Sequence, residues 1–195
     1  LKIIFFGREF TPKQEILELF VSVAKAAKQE GVMAIEKRAN EVADPFIRST
    51  MTMVADGFNA DFIYGVVDSE IKQMEERHRA GAQIFAQCGM YAPTLGVLGA
   101  VIGLIAALGN LSDIDQLGHS IAAAFVATLL GIFTGYVCWH PFANKLKQIN
   151  AEEVEMKRMV LEGALALQEG ASSIAIESRL QAFIPLSERK SLRDA

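Results

Sequence analysis

Two stretches of this chain carry no formal charge. No Asp, Glu, Lys or Arg occurs from Ala80 to Ser112, and none from Gln116 to Asn144. Each is longer than the roughly 20 residues that an α-helix needs to cross a hydrocarbon layer. They predict one span near Met90–Leu108 and a second near Ile121–Trp139. Elsewhere the apolar residues recur at the spacing of helices packed on one face. Thr11-Pro12 reads as a hydroxyl cap followed by proline at the first helical position. From there Ile16, Leu17, Phe20, Val23, Ala24 and Ala27 share one side, with Glu18, Lys25 and Lys28 on the other. Gly31 reads as the stop, and a short helix over Val32–Val42 carries Glu36, Lys37 and Arg38. Asp44-Pro45 opens a third helix, Gly57 closes it, and Asn59 can cap a fourth. Asp68-Ser69 then opens a long helix whose first part is amphipathic, with Ile71, Met74 and His78 together, and which runs on into the first span. About forty helical residues reach roughly 60 Å, about twice the hydrocarbon thickness. The second span continues past Pro141, and Leu146, Ile149, Met156, Val160, Ala164 and Leu167 form a stripe beyond it. No stretch alternates with period two. The fold class is therefore all-α, an integral membrane protein with two long transmembrane helices extending into a water-facing helical domain.

The distribution of cations orients it. The segment joining the spans contains Asp113 and Asp115 but no Lys or Arg, whereas Lys72, Arg77 and Arg79 precede the first span and Lys145 and Lys147 follow the second. Positive residues stay on the cytoplasmic side. Residues 1–78 then form a cytoplasmic helical domain, 79–109 a membrane helix with its stalk, 110–118 an outward loop, 119–141 the second membrane helix, and 142–195 a cytoplasmic C-terminal stalk and tail. The expected location is the inner (cell) membrane, multi-pass, with most of the polar mass in the cytoplasm.

Composition narrows the chemistry. The net charge is -4 and no basic tract is dense enough for nucleic acid. The two cysteines, Cys88 and Cys138, form no C-x-x-C pair, and His78, His119 and His140 are scattered, so no metal site is expected. Phosphate-binding glycine motifs and nucleophile–base pairs are both missing, which argues against an enzyme. The spans are instead rich in small residues: Gly96, Gly99 and Gly103 with Ala107 in the first, and Ala124, Thr128, Gly131 and Gly135 in the second. Such residues let helix backbones approach closely in lipid. They admit two readings, fixed helix packing or a smooth face on which a partner helix slides. Neither span holds a carboxylate, so ions crossing here need one from another subunit. Thr128 is either a hydroxyl bonded one turn back or a lining group of an ion path. Pro93 and Pro141, expected at similar depth in the hairpin, are either helix punctuation or a paired hinge.

Three ordered runs resemble the MotA family of flagellar stator subunits. They are Tyr91-Ala92-Pro93-Thr94-Leu95-Gly96-Val97-Leu98-Gly99-Ala100-Val101-Ile102-Gly103-Leu104, then Leu117-Gly118-His119-Ser120-Ile121-Ala122-Ala123-Ala124-Phe125-Val126-Ala127-Thr128-Leu129-Leu130-Gly131, then Trp139-His140-Pro141-Phe142-Ala143-Asn144-Lys145-Leu146, supported by residues 74–81. The likeness extends over essentially the whole chain. It implies that the two spans are the third and fourth of a four-helix subunit. The opening LKIIFFGREF resembles the stretch after the second, so two further helices are expected before Leu1. It further implies a pentameric homo-oligomer in the lipid bilayer, surrounding two helices of MotB, which supplies the ion-binding aspartate. No cofactor is implied beyond the transported H+ or Na+. Ion flow turns the ring against the rotor protein FliG and drives motility and chemotaxis. By resemblance the rotor-contacting pair falls on Lys28 and Glu36, the hinge on Pro93 and Pro141, and the ion pathway on Thr128. Lysine stands where the family usually has arginine, which keeps the charge and loses the bidentate fork. Two rivals stand beside this expectation: an ExbB/TolQ-like subunit energising outer-membrane processes, and a passive membrane scaffold. The four-helix order and the basic–acidic pair favour MotA over the first.

Overall fold

The computed structural model describes residues 2–7, 10–109 and 114–189, and every regular element among them is helical. In chain order they are α1 (Lys2–Phe6), α2 (Lys13–Glu30), α3 (Val32–Glu41), α4 (Pro45–Ala55), α5 (Ala60–Leu108), α6 (Ile114–Phe133), a π-helical segment (Thr134–Trp139), α7 (His140–Gln168) and α8 (Ser173–Leu180), then two 3-10 turns. Asp113 and the rest of 110–113 in the expected outward loop, Arg8 and Glu9 of the opening segment, and 190–195 of the tail lie outside the described residues.

Local chemistry sets most boundaries. Asp44 Oδ1 accepts from the backbone N–H of Phe46 and Ile47, with Pro45 at the first position of α4. Asn59 Oδ1 accepts from the N–H of Phe62 at 2.8 Å and starts α5. Gly31 and Gly57 take φ of +73° and +77°, which only glycine adopts without strain, and so separate α2 from α3 and α4 from α5. Two expected starts are corrected. Thr11 does not cap α2: Pro12 is the N-cap residue, with ψ 138°, so the Thr11 hydroxyl sits one residue too early. Nor does Asp68 begin a helix. It lies inside α5, its carboxylate 2.6 Å from the Lys72 ammonium one turn on, and the fourth short helix and the long one are a single 49-residue element. That hydrogen bond and the Asp68 charge hold the Lys72 ammonium above its ordinary pKa.

The chain forms two compact units, each drawn from two stretches of sequence: Arg8–Glu75 with Ala151–Ala195, and Leu1–Gly7 with Glu76–Asn150. The first has an ordinary apolar core. Ile16 and Phe20 of α2, Ile47 and Met51 of α4, Ile63 of α5, Met159 and Val160 of α7, and Ile176 of α8 are all fully buried. The C-terminal stretch is thus part of the same core as the N-terminal helices. Lys157 is also buried; its ammonium lies 3.6 Å from the Phe46 ring centroid and 3.7 Å from Glu70, so its charge is met by a ring face and a carboxylate. Gly163 on α7 is closely packed, since a Cβ there would stand 2.8 Å from the Phe20 ring.

That contact gives a stability prediction. Gly163→Val forces Phe20 out of place, and overpacking of this kind costs about 1–3 kcal/mol. The thermal midpoint of the detergent-solubilised protein, followed by circular dichroism, drops accordingly. An unchanged midpoint shows that the Phe20 ring can yield.

Candidate functional site

In the unit built from 76–150, α5 packs against the α6–π–α7 helix. The contacts fix an antiparallel hairpin: Gly89 meets Gly135 and His140, Ala92 meets Gly131, and Gly96 meets Ala127 and Gly131, so the numbers rise along one helix as they fall along the other. At Gly131, Gly96 and Gly135 a backbone carbonyl of the other helix comes closest, whereas Gly89 meets the His140 ring. A Cβ on Gly131 would stand 2.6 Å from the Ala92 carbonyl oxygen, one on Gly96 2.8 Å from that of Ala127, and one on Gly135 2.9 Å from that of Gly89. No side chain larger than hydrogen fits these places. Lipid offers no hydrophobic drive between apolar helices, so this close packing holds the pair.

The remaining small residues are placed differently. Gly99 and Gly103 have open space where a Cβ would be, and Ala124 is half-buried. Around them the outer faces of both helices are apolar and uncovered, with Leu95, Ile102, Ile105, Phe125 and Leu129 all largely exposed. Both helices are long and apolar enough to cross a membrane. An apolar surface of this extent needs lipid or further subunits around it.

Thr128 donates its hydroxyl to the Ala124 carbonyl at 3.1 Å, one turn back, which leaves its oxygen free to accept. Its backbone lies against Gly96. Pro93 sits within α5, where it cannot donate to the carbonyl of Gly89; that oxygen faces Gly135 instead, and the Pro93 ring rests on the same glycine. Pro141 follows the π-helical segment, in which the His140 N–H bonds back to the Gly135 carbonyl. A widened turn moves the carbonyl that the Pro141 ring would strike. The register corrects the expected depth. Pro93 is level with Gly135, and Pro141 lies six residues further along. Phe85, Trp139 and Phe142 form an aromatic cluster beside Pro141, with ring centroids 6.1–6.2 Å apart.

Lys28 and Glu36 belong to the other unit. Both are exposed, Lys28 in the last turn of α2 and Glu36 on α3, on either side of the Gly31 bend, and no ion pair joins them. Among the described residues no group of three or more His, Cys, Asp or Glu is placed to hold a metal, and Cys88 and Cys138 are free thiols. Sequence reasoning missed Gly89, whose lack of a side chain makes room for the His140 ring 2.9 Å from where a Cβ would be. Its seven-residue spacing from Gly96 was the available signal. The π-helical segment was also missed.

Comparison with known proteins accords with this geometry. Residues 38–159 match the model of the MotA/TolQ/ExbB proton channel family. The chain is 50% identical to Motility protein A of Bacillus subtilis over 176 residues, 90% of this chain and 65% of that protein, so it spans just under two thirds of that relative's length. It resembles the flagellar MotAB stator complex from Bacillus subtilis with a TM-score of 0.88 at 47% identity, covering 100% of this chain and 75% of that one. It resembles the MotAB structure from C. jejuni with a TM-score of 0.90 at 30% identity, covering 98% and 75%.

The hairpin generates a paired test. Gly131→Leu separates the helices and lowers the thermal midpoint of the solubilised protein, because a clash with the backbone carbonyl of Ala92 cannot be relieved by a rotamer change. Gly103→Leu, at an open position, leaves that midpoint unchanged. Equal midpoints for the two variants contradict the register.

Proposed function

The chain belongs to the MotA/TolQ/ExbB proton channel family, and from that footing we propose that it is the torque-transmitting subunit of a flagellar stator. Its partner is MotB, as in the MotAB complexes it resembles. It assembles as a pentameric ring in the inner membrane around helices of MotB, with its polar helices in the cytoplasm, and acts on the rotor protein FliG. It works without a cofactor and without covalent chemistry.

The observation that carries this reading is a hairpin held backbone to backbone with no ionisable side chain between Ala80 and Ser112 or between Gln116 and Lys145, except for His119 and His140, the cysteines and the tyrosines. Such a surface cannot carry an ion alone. It suits a partner that brings the carboxylate. H+ or Na+ moving down the membrane potential gains about 2.3 kcal/mol per charge per 100 mV. Binding neutralises the partner aspartate near Thr128, whose oxygen can still accept a hydrogen bond. The neutral side chain then meets an apolar helix face at lower cost, and the ring steps. Helices α5 and α7 run on covalently from the spans into the unit that bears Lys28 and Glu36. Pro93 and Pro141 with the π-helical segment are the points at which these helices bend.

Charge reversal tests the rotor contact. An exposed ion pair contributes up to about 1 kcal/mol, and reversal turns attraction into repulsion, so Lys28→Glu weakens FliG binding roughly tenfold and slows swarming. Glu36→Lys acts in the same direction. Swarming and FliG binding at parental levels in both variants reject the assignment. Thr128→Val lowers ion flux or swimming speed while the ring still assembles with MotB. Parental speed in that variant rejects its place on the ion path. Co-purification with an ExbD-like protein instead of a MotB-like one assigns the chain to the outer-membrane branch of the family.

A further inference from the structure

A groove of about 410 Å³ opens between α5 and the turn from the π-helical segment into α7, wholly within the unit that holds the spans. Its lining includes five polar side chains in a stretch that carries no formal charge. Gln83, Gln87 and Thr94 share one face of α5, at spacings of four and seven, and Tyr136 and His140 come from the other helix, four residues apart. Thr94 donates its hydroxyl to the Met90 carbonyl at 3.2 Å, so its oxygen can still accept. The half-buried His140 ring occupies the room that Gly89 leaves, 5.4 Å from the Tyr136 ring between centroids. No hydrogen bond engages its ring nitrogens among the described residues. The π-helical turn sets its height, because the His140 N–H bonds back to the Gly135 carbonyl. Turns of this kind inside α-helices frequently mark functional sites. The groove also has a direction. Thr94 is two residues from Gly96, which lies against Thr128 on the other helix. Gln83 is eleven residues nearer the charged stalk, roughly 16 Å by helical rise.

We propose that His140 relays the transported proton from the partner carboxyl to the cytoplasm, through water held in this groove. The inference rests on the stator reading above and deepens it, because it names the ion as H+ and gives it an exit. Polar walls and this volume suit ordered water, which bridges polar groups nearly as well as direct contact does. The carboxyl O–H bond breaks, and its proton passes through groove water to the ring nitrogen that bears none. The other ring N–H then gives its proton to water on the stalk side. The imidazole ends neutral, the partner carboxylate ends charged, and no electron is transferred. Imidazole is the side chain that both takes up and releases a proton near neutral pH. The titratable groups that α5, the π-helical segment and α7 bring to the groove are Tyr136 and His140 themselves; no Asp, Glu, Lys or Arg lines it. His119 stands at the opposite end of the hairpin, near the start of α6.

The test uses the full-length subunit co-expressed with MotB in flagellated cells, with rotation of tethered cells recorded in sodium-free medium. A weak acid sets the cytoplasmic pH, and co-purification with MotB reports assembly. Parental speed is expected to fall as cytoplasmic pH drops through the imidazole range, because a ring already protonated accepts nothing. His140→Gln keeps the size and polarity of the side chain but cannot relay. It is expected to turn roughly tenfold slower, with most of that pH dependence lost. His140→Ala is expected to be equally slow and to regain at least about threefold in speed when imidazole is added at the same cytoplasmic pH. Parental speed in both variants overturns the relay and leaves the stator reading standing. Slow rotation without rescue by imidazole, or loss of MotB from both variants, assigns the ring to packing on Gly89 and also overturns it. Rotation that requires sodium overturns the choice of ion. If cells lacking the parental subunit still rotate, the stator reading itself fails.

Discussion

The membrane part of this protein depends on one kind of contact, a glycine on one helix set against a carbonyl oxygen on the other. Gly131 faces Ala92, Gly96 faces Ala127 and Gly135 faces Gly89. In water, large side chains interdigitate and the hydrophobic effect drives them together. In lipid that drive is lost, and van der Waals contact must supply the attraction. It requires close approach, and only residues without a side chain permit it. The same contact accommodates Pro93, because the carbonyl that it leaves without a helical donor is the one pressed on Gly135.

The other unit follows different rules. Its helices are joined by glycine bends at Gly31 and Gly57, capped by Asp44 and Asn59, and closed around an apolar core that recruits α7 and α8 from the far end of the chain. Two long helices, α5 and α7, contribute residues to both units, so the two kinds of packing are linked through continuous helical backbone. On the proposed function, a step taken in the membrane-spanning part has a covalent route to the unit that bears Lys28 and Glu36.

How much of this was legible in the sequence depended on how local each determinant is. The spans followed from missing charge. The caps at Asp44 and Asn59 and the glycine bends followed from the residue itself and its neighbours. The two errors at helix starts came from neighbours that override a local preference: Pro12 occupies the N-cap position that Thr11 was expected to hold, and Lys72 engages the Asp68 carboxylate within a helix already begun. Gly89 was missed because the His140 ring that fills its space lies on another helix, and its spacing from Gly96 does not name that neighbour. Gly99 and Gly103 share the spacing of Gly96 but face open space in the single chain. Spacing reveals that a face is small; it does not reveal which neighbour uses it.

The division between closed and open glycines bears on how such a subunit can move. Gly96, Gly131 and Gly135 are committed within the chain, and a displacement there breaks contacts that nothing else replaces. The smooth positions at Gly99 and Gly103 are free, with exposed apolar side chains around them. A surface that lacks both interlocking side chains and ionisable groups presents nearly the same energy at successive positions of a neighbour helix. The barrier to stepping is then set, on the proposed function, by the charge state of the partner's own carboxylate, which is expensive to bring against apolar surface when ionised and far less so when neutral. On the proposed function, the absence of acidic groups from these spans is what lets ion binding elsewhere control the motion.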